Sequence, residues 1–219
     1  MNHSLAGIGL LGGTFDPIHY GHLRTALDVQ QALGLSSVRL IPLKTPPHRD
    51  APEASGEQRA AMIKTAIHDV PCLEIDTREL ERNGTSYTVE TLDSLRIEHP
   101  ATPLYLLIGS DAFLQFPDWN RPDDILGLAH LVVMQRPKER EPDHYGERVV
   151  DAPSMLASEP AGLILFQQVT QLDISATAIR RMVAEGISPR FLLPDGVLEI
   201  IIRDGLYKQH KTAYTLPSI

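Results

Sequence analysis

Apolar residues in this chain follow two rhythms. Short, largely apolar runs recur at residues 8–12, 38–41, 104–108, 131–134 and 163–166, and residues 73–76 alternate as a strand does. Runs this short, bounded by Gly, Pro or charged positions, read as buried strands rather than helices. Between them the spacing becomes helical. Leu23, Ala26, Leu27, Gln30 and Leu33 trace one face, and Gly34 stands where a left-handed helix end belongs. Ser55 and Gln58 match a capping box, with Ala60, Ile63, Ala66 and Ile67 continuing a helix. Residues 88–97 place Val89, Leu92 and Leu95 inward, and residues 176–184 and 197–203 form the closing helices.

Strands alternating with helices at this spacing predict βαβ units. The fold class is therefore α/β: a Rossmann-like, doubly wound parallel sheet with helices on both faces. Ligands then belong beyond the carboxyl ends of the strands. One domain is expected over residues 1–219. Residues 138–160, charged and proline-bearing, read as a variable connection, and residues 208–219 as a loose tail.

Composition narrows the function classes. With 42% hydrophobic and 22% charged residues the chain is not a disordered one, and no run is long enough to span a membrane. The first residues carry no Lys or Arg, so no signal peptide is expected. The single cysteine, Cys72, excludes an internal disulfide and fits a cytoplasmic location. A net charge of −8 argues against a nucleic-acid partner. A polyanion can still bind where positive groups gather.

They gather directly after strands. The densest stretch runs Gly12-Gly13-Thr14-Phe15-Asp16-Pro17-Ile18-His19-Tyr20-Gly21-His22. Two glycines let the backbone approach a ligand, and two histidines stand at a helix start, where amides and the helix dipole favour an anion. Imidazoles there can donate to phosphate and carry charge when protonated. Asp16 is open between a metal ligand and a turn-fixing side chain. The stretch is neither a Walker A loop nor a G-x-G-x-x-G turn. A second segment, Ile174-Ser175-Ala176-Thr177-Ala178-Ile179-Arg180, sets hydroxyls at a helix start and a guanidinium one turn on. Read alone, Ser175 is equally a helix cap and Arg180 a solvated residue.

The first stretch resembles the glycine–histidine signature of the nucleotidyltransferase superfamily, and the second resembles its I-S-S/A-T-x-I-R motif. Pro46-Pro47-His48-Arg49, Asn83-Gly84-Thr85-Ser86-Tyr87-Thr88, Gly109-Ser110-Asp111 and Phe116-Pro117-Asp118-Trp119 narrow the resemblance to the bacterial nicotinate mononucleotide adenylyltransferases. The likeness runs from about Leu10 to Tyr207. It implies a nucleotidyltransferase-type sheet and the reaction of nicotinate mononucleotide with ATP, giving nicotinate adenine dinucleotide and pyrophosphate for NAD synthesis. The implied ATP-binding residues are Gly12, Gly13, Thr14, Phe15, His19, Gly21, His22, Ile174, Ser175, Thr177 and Arg180, with His19, His22 and Arg180 catalytic. The implied mononucleotide site comprises Thr14, His48, Arg49, Thr88, Asp111, Trp119 and Arg136.

Mg²⁺ is the expected cofactor, entering with ATP and bridging phosphates and water rather than sitting in a protein cage. The expected partners are the small-molecule substrates ATP and nicotinate mononucleotide, with no nucleic acid and no membrane, and the oligomeric state is left open. The nucleophile is a phosphate oxygen already ionised near neutral pH, so neither a general base nor a covalent intermediate is required. Three rivals stand beside this reading: a preference for nicotinamide mononucleotide, a phosphopantetheine adenylyltransferase, and a nucleotide-binding regulator without activity.

Overall fold

The computed structural model describes residues 5–44, 51–82, 84–135 and 145–208. Among these residues seven strands form one sheet in the order β3-β2-β1-β4-β5-β7-β6, and every pairing in it is parallel. In chain order they are β1 (Ile8–Gly13), β2 (Ser37–Pro42), β3 (Leu73–Ile75), β4 (Leu104–Gly109), β5 (His130–Gln135), β6 (Val149–Val150) and β7 (Ile164–Gln168). The helices are α1 (Tyr20–Leu33), α2 (Gly56–Ala66), α3 (Arg78–Glu81), α4 (Thr88–Glu98), α5 (Ser110–Leu114), α6 (Pro122–Leu128), α7 (Ala176–Ala184) and α8 (Asp195–Arg203).

Successive strand residues point to opposite faces, so each apolar strand feeds two cores. Leu40, Leu107, Val132 and Leu165 pack on one side with α1, α2 and α8. Leu10, Leu106, Leu131, Val133 and Ile164 pack on the other with α4 and α6. Burial on both sides explains why these strands are continuous apolar runs rather than alternating ones.

The helices follow their sequence signals closely. Ser55 Oγ accepts the Gln58 amide at 3.2 Å and Gln58 Oε1 accepts the Ser55 amide at 2.9 Å, which closes the capping box on α2. Gly34, with φ of 62°, ends α1 in the left-handed conformation. Two details differ. The buried stripe of α1 is Leu23, Ala26, Val29 and Leu33, and Gln30 instead donates to the Leu35 carbonyl at 2.8 Å. In α2 the inward face includes a charged residue, Arg59, beside Ala60, Met62 and Ile63.

Short elements escape the periodicity. α3 and α5 have too few turns to show a repeat, and α5 begins directly at the end of β4. Within the stretch read as a connection, Val149–Val150 pairs with β7 as an edge strand, and Pro153–Ser158 forms 3₁₀ turns. Residues 136–144 and 209–219 of that connection and tail lie outside the described residues. Among the described residues no helix is long and apolar enough to cross a membrane.

The centre of the sheet leaves no slack. A Cβ on Gly9 would lie 2.9 Å from Val38 Cγ2 and 3.0 Å from Leu35 Cδ1. Gly9→Ala is expected to overpack β1 at a cost of about 1–3 kcal/mol. Thermal denaturation checks this, as a fall of several degrees in Tm.

Candidate active site

β1 is flanked by β2 on one side and β4 on the other, and this is where the winding of the sheet reverses. Such a switch point opens a crevice beyond the strand ends. A cleft of about 340 Å³ lies there. It is lined by Gly12, Gly13 and Thr14 after β1, by Gly109 after β4, and by Thr88 and Trp119 from the neighbouring loops. Trp119 is half-buried, its ring 5.5 Å from that of Phe116, so it forms a wall rather than core filling. Thr88 opens α4, whose N-cap residue Tyr87 supplies no side-chain cap. Asp111 stands exposed in the first turn of α5 and is not among the lining residues.

The loop from β1 to α1 is tightly built. Phe15 has φ of +49°, a left-handed conformation that a bulky residue adopts only where its surroundings hold it. Its ring lies under Gly13, where a Cβ would come within 2.9 Å of it. That ring meets His22 edge-on at 5.0 Å, and His22 stacks on His19 at 3.7 Å. Gly21 is needed at this packing, since a Cβ would sit 3.0 Å from the His19 ring.

Burial lowers the pKa of His19 from 6.5 to about 4. Burial, with His19 alongside, lowers that of His22 to about 3. At neutral pH both imidazoles are therefore uncharged in the nucleotide-free protein. The sequence suggested imidazoles that add positive charge; their packing instead makes them neutral hydrogen-bonding groups. Among the described residues, Nδ1 of each is buried without a hydrogen-bond partner.

Arg180 brings the second motif to the first. Its Nη1 donates to the Asp16 carbonyl at 2.8 Å and its Nε donates to Glu53 Oε1 at 2.7 Å. Ile174 also approaches, its carbonyl 3.6 Å from where a Gly21 Cβ would be. Ser175 accepts the Ala178 amide at 3.2 Å and so caps α7, while Thr177 is exposed. His48, Arg49 and Arg136 lie outside the described residues.

Asp16 settles as a structural group. It is 4% exposed, and its carboxyl accepts the amides of Glu53 and Ala54 at 2.8 and 3.1 Å and the Tyr207 hydroxyl at 2.7 Å. Arg59, also buried, donates to the carbonyls of Thr14 at 2.7 Å and Ala54 at 3.3 Å. Arg59, Glu53 and Tyr207 were not singled out from sequence. Arg59 did carry a signal: it shares the helical face of Met62, Ile63 and Ala66. Among the described residues no group of three or more His, Cys, Asp or Glu could hold a metal ion.

A strand-end crevice, a glycine–histidine loop and an opposed guanidinium define a nucleotide-handling α/β protein. Residues 10–182 match the family described as cytidylyltransferase-like. A Halorhodospira halophila protein named "Probable nicotinate-nucleotide adenylyltransferase" is 48% identical over 213 residues, covering 94% of this chain and 98% of that one. A protein of the same name from Pseudomonas putida GB-1 is 45% identical, covering 92% and 94%. The chain belongs to the nicotinate-nucleotide adenylyltransferases of the cytidylyltransferase-like family. Its fold is also that of a Plasmodium falciparum nicotinic acid mononucleotide adenylyltransferase solved with NaAD, with a TM-score of 0.69 at 16% identity over 92% of this chain and 97% of that one.

The histidine pair sets a pH dependence. Both rings titrate near 6.5 when unfolded and near 4 and 3 when folded. Between those values the unfolded chain binds more protons, so this contribution is complete above pH 6.5 and is lost as pH falls towards 4. Tm of the nucleotide-free protein is expected to fall across that window. The fall should be shallower in a His19→Gln/His22→Gln variant, measured in parallel to remove the common effect of the carboxylates.

Proposed function

We propose that this protein transfers the adenylyl group of ATP to nicotinate mononucleotide. A phosphate oxygen of the mononucleotide bonds to the α-phosphorus of ATP, the bond from that phosphorus to the bridging oxygen breaks, and pyrophosphate leaves with the electron pair. No proton need be taken from the nucleophile. The work of the site is to hold two polyanions in line and to stabilise charge on the leaving group. The observation that carries this reading is the switch-point cleft bordered by Gly12–Thr14, Thr88 and Trp119, with the histidine and arginine motifs fastened together beside it.

The two substrates divide these features between them. Trp119 offers a ring face for the pyridine, and the uncapped start of α4 at Thr88 favours its carboxylate through first-turn amides and the helix dipole. His19, His22 and Arg180 serve the ATP phosphates. The unpartnered ring nitrogens support that assignment, since buried polar atoms need partners. An arriving polyphosphate raises both histidine pKa values, which draws protons onto the rings as negative charge accumulates. Mg²⁺ is assigned to the substrate, as the ATP complex, because the one acidic side chain of the loop, Asp16, is turned towards Tyr207 and the Glu53–Ala54 amides.

Pyrophosphate release with Mg-ATP tests the assignment. kcat/KM for nicotinate mononucleotide is expected to exceed that for nicotinamide mononucleotide or phosphopantetheine at least about tenfold, the worth of a charge-assisted hydrogen bond. Equal or reversed preference overturns the carboxylate site. His22→Ala is expected to lower kcat about 100-fold or more while changing the mononucleotide KM less than about threefold. Intact turnover would remove His22 from the transition state. Arg180→Ala should chiefly raise the KM for ATP or lower kcat; unchanged values of both exclude it from the site.

A further inference from the structure

Adenylyl transfer, on which the following inference rests, does not itself call for a buried carboxyl in the middle of the histidine loop, satisfied by groups far away in the chain. Asp16 lies between Phe15, held at positive φ, and the segment that carries His19. Its Oδ1 receives the hydroxyl of Tyr207, a residue 191 positions later. Its backbone carbonyl receives Arg180. One residue thus joins the histidine loop, the guanidinium and the end of the described chain.

Tyr207 reaches Asp16 because of how α8 stops. The Gly205 amide bonds to the Ile202 carbonyl at 3.3 Å and the Leu206 amide to the Ile201 carbonyl at 3.0 Å. Gly205 is left-handed, with φ of 65°. These paired bonds are a Schellman ending, which reverses the chain in a fixed direction. Tyr207 follows at φ of 61°, and its side chain is 7% exposed. The hydroxyl donates at 2.7 Å, the usual length of a well-formed O–H···O bond.

We propose that Tyr207 is a positioning residue for adenylyl transfer, acting through Asp16 to hold the histidine loop and Arg180 in the geometry that meets the phosphates. It touches no substrate. Removing the hydroxyl takes one of two donors from Oδ1 of Asp16 and leaves it the Ala54 amide alone, so the carboxyl loses its tie to the end of α8 and the loop shifts with it. A misplacement of about 1 Å at a phosphate-holding group is enough to lose catalysis by up to roughly 100-fold.

The test separates position from stability. Tyr207→Phe keeps the ring and removes the hydroxyl. Ile164→Val, in β7 and in the core on the other face of the sheet, serves as a control, because it costs about 0.5–1.5 kcal/mol in a cluster that holds no residue of the histidine loop. Pyrophosphate release is measured with both substrates saturating, well below the Tm of either variant. Tyr207→Phe is expected to lower kcat about tenfold with the mononucleotide KM within about twofold, while Ile164→Val retains kcat within about twofold. Equal loss in both variants, or an unchanged kcat in Tyr207→Phe, overturns the proposal.

A second readout needs no turnover: the imidazole NMR signals of His19 and His22 in nucleotide-free protein. They are expected to shift or broaden in Tyr207→Phe while those of His130 stay fixed, its ring being held by the Leu163 amide and the Glu159 carbonyl. Unmoved His19 and His22 signals overturn the positioning role. Absence of wild-type turnover with nicotinate mononucleotide would instead refute the assigned reaction, and leave the NMR result to decide the link between Tyr207 and the loop.

Discussion

The ligand-facing parts of this molecule depend on one constraint: β1 has to lie between strands whose crossovers leave on opposite faces. α1 and α2 lie against the core that contains Leu40 and Leu107, whereas α4 lies against the core that contains Leu10 and Leu106. The chain leaving β1 and the chain leaving β4 therefore diverge, and the space between them cannot be filled by either crossover. Gly12, Gly13 and Gly109 border that space with bare backbone. The crevice follows from the topology, and local residues then fit it to a particular chemistry.

Charge is handled sparingly there. The chain carries a net charge of −8, and its two signature histidines are uncharged at neutral pH while the site is free. Stacking His19 on His22 at 3.7 Å would be unfavourable for two imidazolium ions and is acceptable for two neutral rings. Permanent positive charge at this loop comes from Arg180 and Arg59, and on the proposed reading the rings add to it when a polyanion shifts their titration. The bound state and the free state meet different electrostatic demands with the same side chains.

The sheet was legible because strands covered on both faces must be apolar throughout, and their glycine and proline boundaries mark them off. α1, α2 and α4 were legible from helical spacing and, for α2, from a capping box confirmed atom by atom. α3, α5 and the edge strand Val149–Val150 were not, because two to five residues cannot display a period. Within the candidate site, the residues from Gly12 to His22 stood out by density, whereas Arg180 stood out only through the resemblance of its segment to a family motif. The Asp16 network did not: Arg59, Glu53 and Tyr207 meet it from remote positions, and sequence order says nothing about such encounters. The acid state of the histidines was equally hidden, since it depends on which rings pack on which.

On the proposed assignment of Arg180 to the ATP phosphates, its bond to Glu53 gives the site a form of selectivity. In the free protein the guanidinium is already in the company of an anion, so a nucleotide gains only the difference between its own attraction and that of a single carboxylate. A nucleoside has nothing to offer in exchange, and a monophosphate little more than the group it displaces. A triphosphate brings several charges at once and is the better competitor. Under that assignment an internal competitor of this kind favours adenine nucleotides with more phosphates, without any contact that has to measure the length of the chain.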